Sequence, residues 1–216
     1  MKKMIFAGCL IAGASVFAQA GETDSLKVVN LQEVQVVSTR ATSKTPVAFT
    51  NVSKEELKKQ NFGQDIPYLL SMTPSALTTS DAGAGIGYTT LRVRGTDGTR
   101  INITANGIPM NDAESHTLFW VNMPDFASSV KDIQVQRGAG TSTNGAGAFG
   151  ASVNMQTEGI SMKPYAELNA SYGTFNAHKE TVKFGTGLLN DHWAFDARLS
   201  NISTDGYIDR ASVDLY

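Results

Sequence analysis

The sequence predicts an α+β fold, a small mixed sheet with short helices, followed by a run of antiparallel strands. Three observations carry this. Short apolar runs of both helical and alternating period lie between Pro46 and Thr157, closely spaced turn residues separate them, and three alternating segments follow Pro164.

The N-terminus stands apart from that fold. Lys2 and Lys3 precede an apolar, small-residue run from Met4 to Val16, and Ala18-Gln19-Ala20 is an A-x-A cleavage site. Residues 1–20 therefore read as a secretory signal peptide, since the run is shorter than the ~20 apolar residues of a spanning helix. "FAGC" at Phe6 to Cys9 resembles a lipoprotein cleavage box, but almost no apolar segment precedes it. Cys9 is the one cysteine and leaves with the signal peptide, so no thiol chemistry is expected of the mature chain. Losing two lysines and no acids takes the formal charge from −2 to −4. A mildly acidic chain offers no basic footprint for nucleic acid.

Residues 21–44 are polar and lack a helical period, as an extended arm would. Within it, "LQEVQVVSTR" places Val34, Val36 and Ser38 on one face of an extended strand, and Glu33, Gln35 and Val37 on the other. From the residues alone this is equally an edge strand of the next domain. Globular texture begins near Pro46. Ser53 and Glu56 form an S-x-x-E capping box opening a helix through "KEELKKQ". Gln64 to Met72 reads as a second helix, with Pro67 in its first turn and Pro74 ending it. Thr78 to Tyr88 reads as a glycine-rich loop. "LRVRG" alternates Leu91 and Val93 with Arg92 and Arg94, as a half-buried strand does. Asn106-Gly107 between two apolar runs predicts a hairpin. "PDFASSV" predicts a single helical turn, and "KDIQVQRG" a strand with Ile133 and Val135 on one face. The expected core is Phe49, Val52, Leu57, Leu69, Leu70, Leu91, Ile101, Ile133 and Val135.

"GAGAFG" at Gly145 to Gly150 matches G-x-G-x-x-G, the phosphate-cradling fingerprint. That fingerprint works only where its glycines open a helix, whose N-terminus holds the pyrophosphate. Here "ASVNMQT" follows, and Ala151, Val153 and Met155 alternate with Ser152, Asn154 and Gln156, which is strand periodicity. Glu167 has the spacing of a ribose-binding acid but lies beyond Pro164 in another strand. No G-x-x-x-x-G-K-[ST] occurs. The glycines are expected to permit tight turns and close backbone approach.

After Pro164, Ala166, Leu168, Ala170 and Tyr172 alternate with polar residues, as do Val182, Phe184 and Leu188, and then Trp193, Phe195, Ala197 and Leu199. Transmembrane β-barrel strands read this way, with Tyr172 and Trp193 at girdle positions. A soluble antiparallel sheet reads the same way, so periodicity leaves both open.

The order of parts resembles the N-terminal portion of a TonB-dependent outer-membrane receptor of the Bacteroidetes type. "LRVRGTDGTRINITANGIPMND" is similar to the family's plug motif, with Asn106 where Asp is usual. "DIQVQRGAGTSTNGAGAFGASVNMQT" is similar to the motif closing the plug, with Asn144 where Tyr is usual. "EVQVVS", Glu33 to Ser38, resembles the TonB box. The resemblance implies a plug domain over 45–158, followed over 164–216 by the first antiparallel strands of an incomplete transmembrane β-barrel that contacts outer-membrane lipid. It implies that Glu33, Val34, Gln35, Val36, Val37 and Ser38 pair with the periplasmic domain of TonB by β-augmentation, and that pulling there remodels the plug. It implies energised uptake of a scarce small-molecule nutrient or metal complex, such as an iron-siderophore, haem or a cobalamin-like compound. As in relatives, Arg92 and Arg94 are expected to pair with acidic residues of the barrel wall. Asp81 and Tyr88, and Asp112, Glu114, His116 and Trp120, are candidates to face substrate from their two loops.

"NDAESH" sets Asp112, Glu114 and His116 at alternate positions, but a polar loop accounts for them as well as a metal site. His178 and His192 fall in turns and need no role. No nucleophile–base pair stands out, and no enzyme activity or cofactor is expected. Only 53 residues follow Lys163, enough for three strands and a stub, whereas the smallest barrels have about eight strands. The reading is therefore of a piece of a longer receptor or a truncated product. A barrel-less binding module in the periplasm or at the surface is the alternative.

Overall fold

The computed structural model describes residues 40–140, 147–190 and 192–216. Strand β1 (Ala48–Ser53) runs directly into helix α1 (Lys54–Gln60), and Ser53 belongs to both motifs. Its hydroxyl accepts from the Glu56 N–H at 3.4 Å while Glu56 Oε2 accepts from the Ser53 N–H at 2.8 Å. The capping box read from the sequence is thus in place. Helix α2 (Ile66–Leu69) is shorter than the expected Gln64 to Met72. Pro67 starts it, but the backbone tightens at once into three-residue turns, Ser71 to Tyr68 and Thr73 to Leu70. Ser75, just past Pro74, is left-handed at φ 66°.

Strands β2 (Ala76–Ser80) and β3 (Thr89–Val93) form a two-stranded hairpin. The expected loop over Thr78 to Tyr88 therefore begins later. Its threonines are β-branched and pair across to Thr90 and Leu91, and the glycines that resist regular structure start only at Gly83. Strands β4 (Ile101–Ala105) and β5 (Ile108–Pro109) are joined by Asn106-Gly107, both at positive φ, as a primed two-residue turn requires. The Asn106 amide donates to Thr157 Oγ1 at 2.8 Å and its carbonyl accepts from the Thr157 N–H at 3.0 Å. An aspartate there would lose the donor.

Strand β6 (Val130–Arg137) and strand β7 (Ala151–Thr157) complete a five-stranded mixed sheet of order β1-β6-β7-β4-β5. Only β4 and β7 pair in parallel. One face carries Ile133, Val135, Ala151, Val153 and Met155 into a core shared with Leu57, Leu69, Leu70, Leu91, Val93, Ile101 and Trp120. The other face is an amide and hydroxyl surface, where Gln134, Gln136, Ser152 and Asn154 are all buried. Phe49 was expected in the core. Its register partner is Gln136, which puts it on this second face, half-buried, while Val52 opposite Ile133 packs against the core.

The glycine run joins two antiparallel strands, not a strand and a helix, and what it permits is close approach. The Gly150 N–H donates to the Arg100 carbonyl at 3.0 Å and its own carbonyl accepts from the Gly138 N–H at 2.9 Å. A Cβ at Gly150 would stand 2.8 Å from that Arg100 oxygen, closer than packed atoms tolerate.

Strands β8 (Tyr165–Tyr172), β9 (His178–Gly185), β10 (Asp196–Thr204) and β11 (Val213–Leu215) form a separate antiparallel sheet in the order β11-β10-β9-β8. The third strand starts at Asp196 rather than Trp193, because Leu189 and Trp193 close a tight turn through Asn190 at φ 50°. Leu188 likewise lies past the end of β9. A five-stranded mixed sheet with short helices, followed by a separate four-stranded antiparallel sheet, is the architecture.

Candidate functional site

In a soluble sheet packed on a core, the apolar face turns inward. The sheet β8–β11 does the reverse. Leu168 is 73 % exposed and Leu199 is 68 % exposed, with Tyr172 and Phe184 also open. Lys179, Thr181, Lys183 and Thr204, on the opposite face, are buried. The polar face packs against the turn that follows Pro124.

Asp125 is the centre of that contact. It sits left-handed at φ 50° before a one-turn 3-10 helix, Phe126–Ser129, and its side chain is 1 % exposed. Its Oδ1 accepts from Lys179 Nζ at 2.5 Å and Ser128 Oγ at 2.6 Å. Its Oδ2 accepts from Ser200 Oγ at 2.5 Å and Thr181 Oγ1 at 3.2 Å. Arg198 lies 3.4 Å from Oδ2 and also donates to the Asp125 carbonyl oxygen. Burial alone would raise this carboxyl. The Lys179 charge and the converging donors outweigh burial and hold it below its ordinary value of 3.8. Nearby, Lys183 donates to the Ser128 carbonyl and lies 3.3 Å from Glu158, Lys54 pairs with Glu158, and Lys58 pairs with Glu167 on β8. Between these groups runs a gap of about 170 Å³, lined also by Leu57, Phe62 and Val130.

Sequence reasoning missed Asp125 and its partners. The only signal was lysines and threonines at alternate positions on β9, which amphipathic strands of any kind carry. The expected pair Arg92 and Arg94 is exposed, and neither makes an ion pair among the described residues. Arg94 lies beside Gly138, past the end of β3.

Of the candidate substrate-facing residues, Asp81, Tyr88 and Trp120 line one cavity of about 210 Å³, walled by Leu91, Ile103 and Phe119. Tyr88 is exposed at its rim, while Trp120 is buried and belongs to the core. Asp112, Glu114 and His116 are not part of it. The Asp112 carboxylate is turned into its own loop, accepting from the N–H groups of Ser115 at 2.7 Å and Glu114 at 3.0 Å. Among the described residues no group of three His, Cys, Asp or Glu side chains could hold a metal ion. The arm segment Glu33 to Ser38 lies outside the described residues.

Asp65 anchors the loop that bears Asp81 and Tyr88. Its N–H donates to the Gly85 carbonyl at 2.9 Å and its Oδ2 accepts from Thr89 Oγ1 at 2.8 Å. Burial pushes this carboxyl up to about 6 from 3.8, against the opposing hydrogen bonds from Thr89 and Gly87. The folded state thus holds the proton more tightly than the unfolded chain. The stability from this group is full below 3.8 and declines as pH rises toward 6, by about 2–3 kcal/mol. Asp65→Asn keeps the Thr89 contact and removes that titration. Denaturant unfolding of the two proteins from pH 4 to 7.5 should show the variant gaining on the wild type by about 2 kcal/mol over this window. Parallel curves would contradict the assignment.

The family model described as TonB-dependent Receptor Plug Domain matches residues 41–152, just over half of the chain. No curated protein matches the chain by sequence. Solved structures do match by shape. The alcaligin outer membrane receptor FauA from Bordetella pertussis is 19% identical with a TM-score of 0.57, covering 75% of this chain and 27% of its own. The ferric yersiniabactin uptake receptor FyuA from Yersinia pestis is 14% identical with a TM-score of 0.56, covering 73% and 24%. The siderophore receptor PirA from Acinetobacter baumannii is 21% identical with a TM-score of 0.55, covering 72% and 24%. The chain spans about a quarter of the length of these receptors.

Proposed function

Since the chain belongs to the TonB-dependent receptor plug domain family, we propose that it is the gate and first wall segment of an energised outer-membrane uptake receptor. The observation that carries this is the reversed sheet: β8–β11 turns lysines, threonines and a serine toward the plug and leucines and aromatics away from it. A lipid-facing barrel wall around a polar stopper needs that arrangement, because hydrocarbon accepts the apolar side and the lumen the polar side. It also weighs against a barrel-less binding module, whose exposed apolar strands and open edges would promote association. In this reading residues 1–20 direct export, Glu33 to Ser38 receive TonB, and the plug over 45–158 closes the pore. Asp125 fastens the plug to the wall over 164–216.

The cargo is a small-molecule nutrient or metal complex, of the iron-siderophore, haem or cobalamin-like kind. Asp81 and Tyr88 are its contacts from the plug, with the buried Trp120 in the cavity wall behind them. The ferric yersiniabactin uptake named for FyuA and the siderophore named for PirA support that class without selecting a member. Deleting the gene and supplying each candidate complex as sole source should abolish growth on one of them. Undiminished uptake of all would refute the transport reading. Placing arginine at Leu168 or Leu199 should cost about 2–4 kcal/mol if they lie near the bilayer midplane, and assembled receptor in the membrane should fall accordingly. Unchanged assembly would mean these faces do not meet lipid.

A further inference from the structure

The root of the arm is held by an unusual contact. Gln134, in the middle of β6 and 2 % exposed, uses its side-chain amide as a strand would use its backbone. Its Oε1 accepts from the Ala41 N–H at 2.7 Å and its Nε2 donates to the Ala41 carbonyl at 3.0 Å. The same amide is braced by Asn51 Oδ1 at 2.8 Å and by Gln136 Nε2 at 2.9 Å. One residue upstream, Arg40 pairs with Asp132 at the near end of β6.

The topology gives this clip a mechanical meaning. Arg40 lies by Asp132 and Ala41 by Gln134, so the chain enters alongside β6 and runs toward its Arg137 end. It then reverses into β1, whose first residue, Ala48, pairs with Arg137 and whose last, Ser53, pairs with Asp132. Among the described residues, a load applied upstream of Arg40 therefore meets the clip first, near the end where the chain enters. Only when the clip opens does the load travel through residues 42–47 to Ala48, at the far end of β1. From there it peels an edge strand backward, breaking ladder hydrogen bonds one at a time, the weakest way to load a sheet.

We propose that Gln134, seconded by the Arg40–Asp132 pair, is a tension-gated clip that keeps pulling on the arm from reaching β1 until a threshold force is exceeded. The proposal rests on the reading that the arm is the pulled segment. The device itself is a property of the chain, with or without the partner.

The test is single-molecule pulling on the receptor that carries this chain, with the handle placed either upstream of Arg40 or at Thr45, past the clip. From the upstream handle the wild type should show a first release that frees at most about 25 Å of chain contour, the full reach of the seven residue steps from Ala41 to Ala48, before β1 detaches. Gln134→Leu and Ala41→Pro, which removes the clipped N–H, should each lose that first event and release β1 at the force seen from the Thr45 handle. The Thr45-handle force should be the same in the wild type and Ala41→Pro, whereas Gln134→Leu also removes the Asn51 contact to β1 and should lower it. For Ala41→Pro, an equal weakening from both handles would mean general destabilisation and overturn the clip, as would no change from either. A binding assay of the arm with the periplasmic domain of TonB, run in parallel, tests the pulled-segment reading separately.

Discussion

Asp125→Ala is expected to destabilise the joint between plug and strand sheet by about 3–5 kcal/mol, the cost of leaving a buried partner charge uncompensated. Lys179 is 5 % exposed, and its ammonium has this carboxylate and the Ser128 hydroxyl as its hydrogen-bond acceptors. Removing the acid strands the lysine and frees Arg198, Ser200 and Thr181 from one acceptor at once, so the loss exceeds that of a surface pair. The left-handed backbone at Asp125 adds to the effect, because the side chain's five acceptor contacts, one of them from Asn61, hold a conformation that alanine has no means to retain. Lys179→Met in the same protein should recover part of the loss, since a matched apolar residue no longer needs a counter-charge. Denaturant midpoints of the receptor in detergent, read by protease release of the plug, give all corners of the cycle. The pH dependence has a definite sign. A carboxyl held below 3.8 contributes stability that is full above that value and lost as pH falls through its lower folded value. A change under half a kilocalorie for Asp125→Ala would show that the hub is incidental.

The elements that were legible in the sequence are those governed by local rules. The capping box at Ser53, the Asn106-Gly107 turn and the alternation of Ile133 with Val135 each depend on a few adjacent residues, and all three formed as read. The strand that follows Gly150 was legible for the same reason, since its alternation is visible locally. Errors arose where pairing decided. Thr78 to Ser80 became strand because Thr89 to Leu91 lay opposite, and Phe49 left the core because its register set it against Gln136. The seam was illegible for a related reason. Asp125 and Lys179 are 54 residues apart, and nothing in either neighbourhood names the other. The orientation of the last sheet was the hardest to read, because alternation is symmetric. Only packing tells which face is turned inward.

Val36→Pro in the arm should reduce energised uptake to the level of a strain without TonB, while leaving plug unfolding unchanged. The segment Glu33 to Ser38 grips its partner, in the function proposed, by adding a strand to an exposed sheet edge, and main-chain hydrogen bonds supply most of that grip. On an edge only every second residue directs its N–H toward the neighbouring strand. Proline deletes one such donor and fixes φ, so its effect depends on position parity. A proline scan should therefore be severe at Val34 and Val36 and milder at Gln35 and Val37. A helix docking by one apolar face would instead show a three- to four-residue rhythm. Among the described residues, the first attachments of the plug, Arg40 with Asp132 and Ala41 with Gln134, lie downstream of all four positions, so plug unfolding is expected to be unaffected. Transport that survives proline at both Val34 and Val36 would remove this segment from the mechanism. A loss that comes with an equally lowered plug midpoint would trace it to folding instead of coupling.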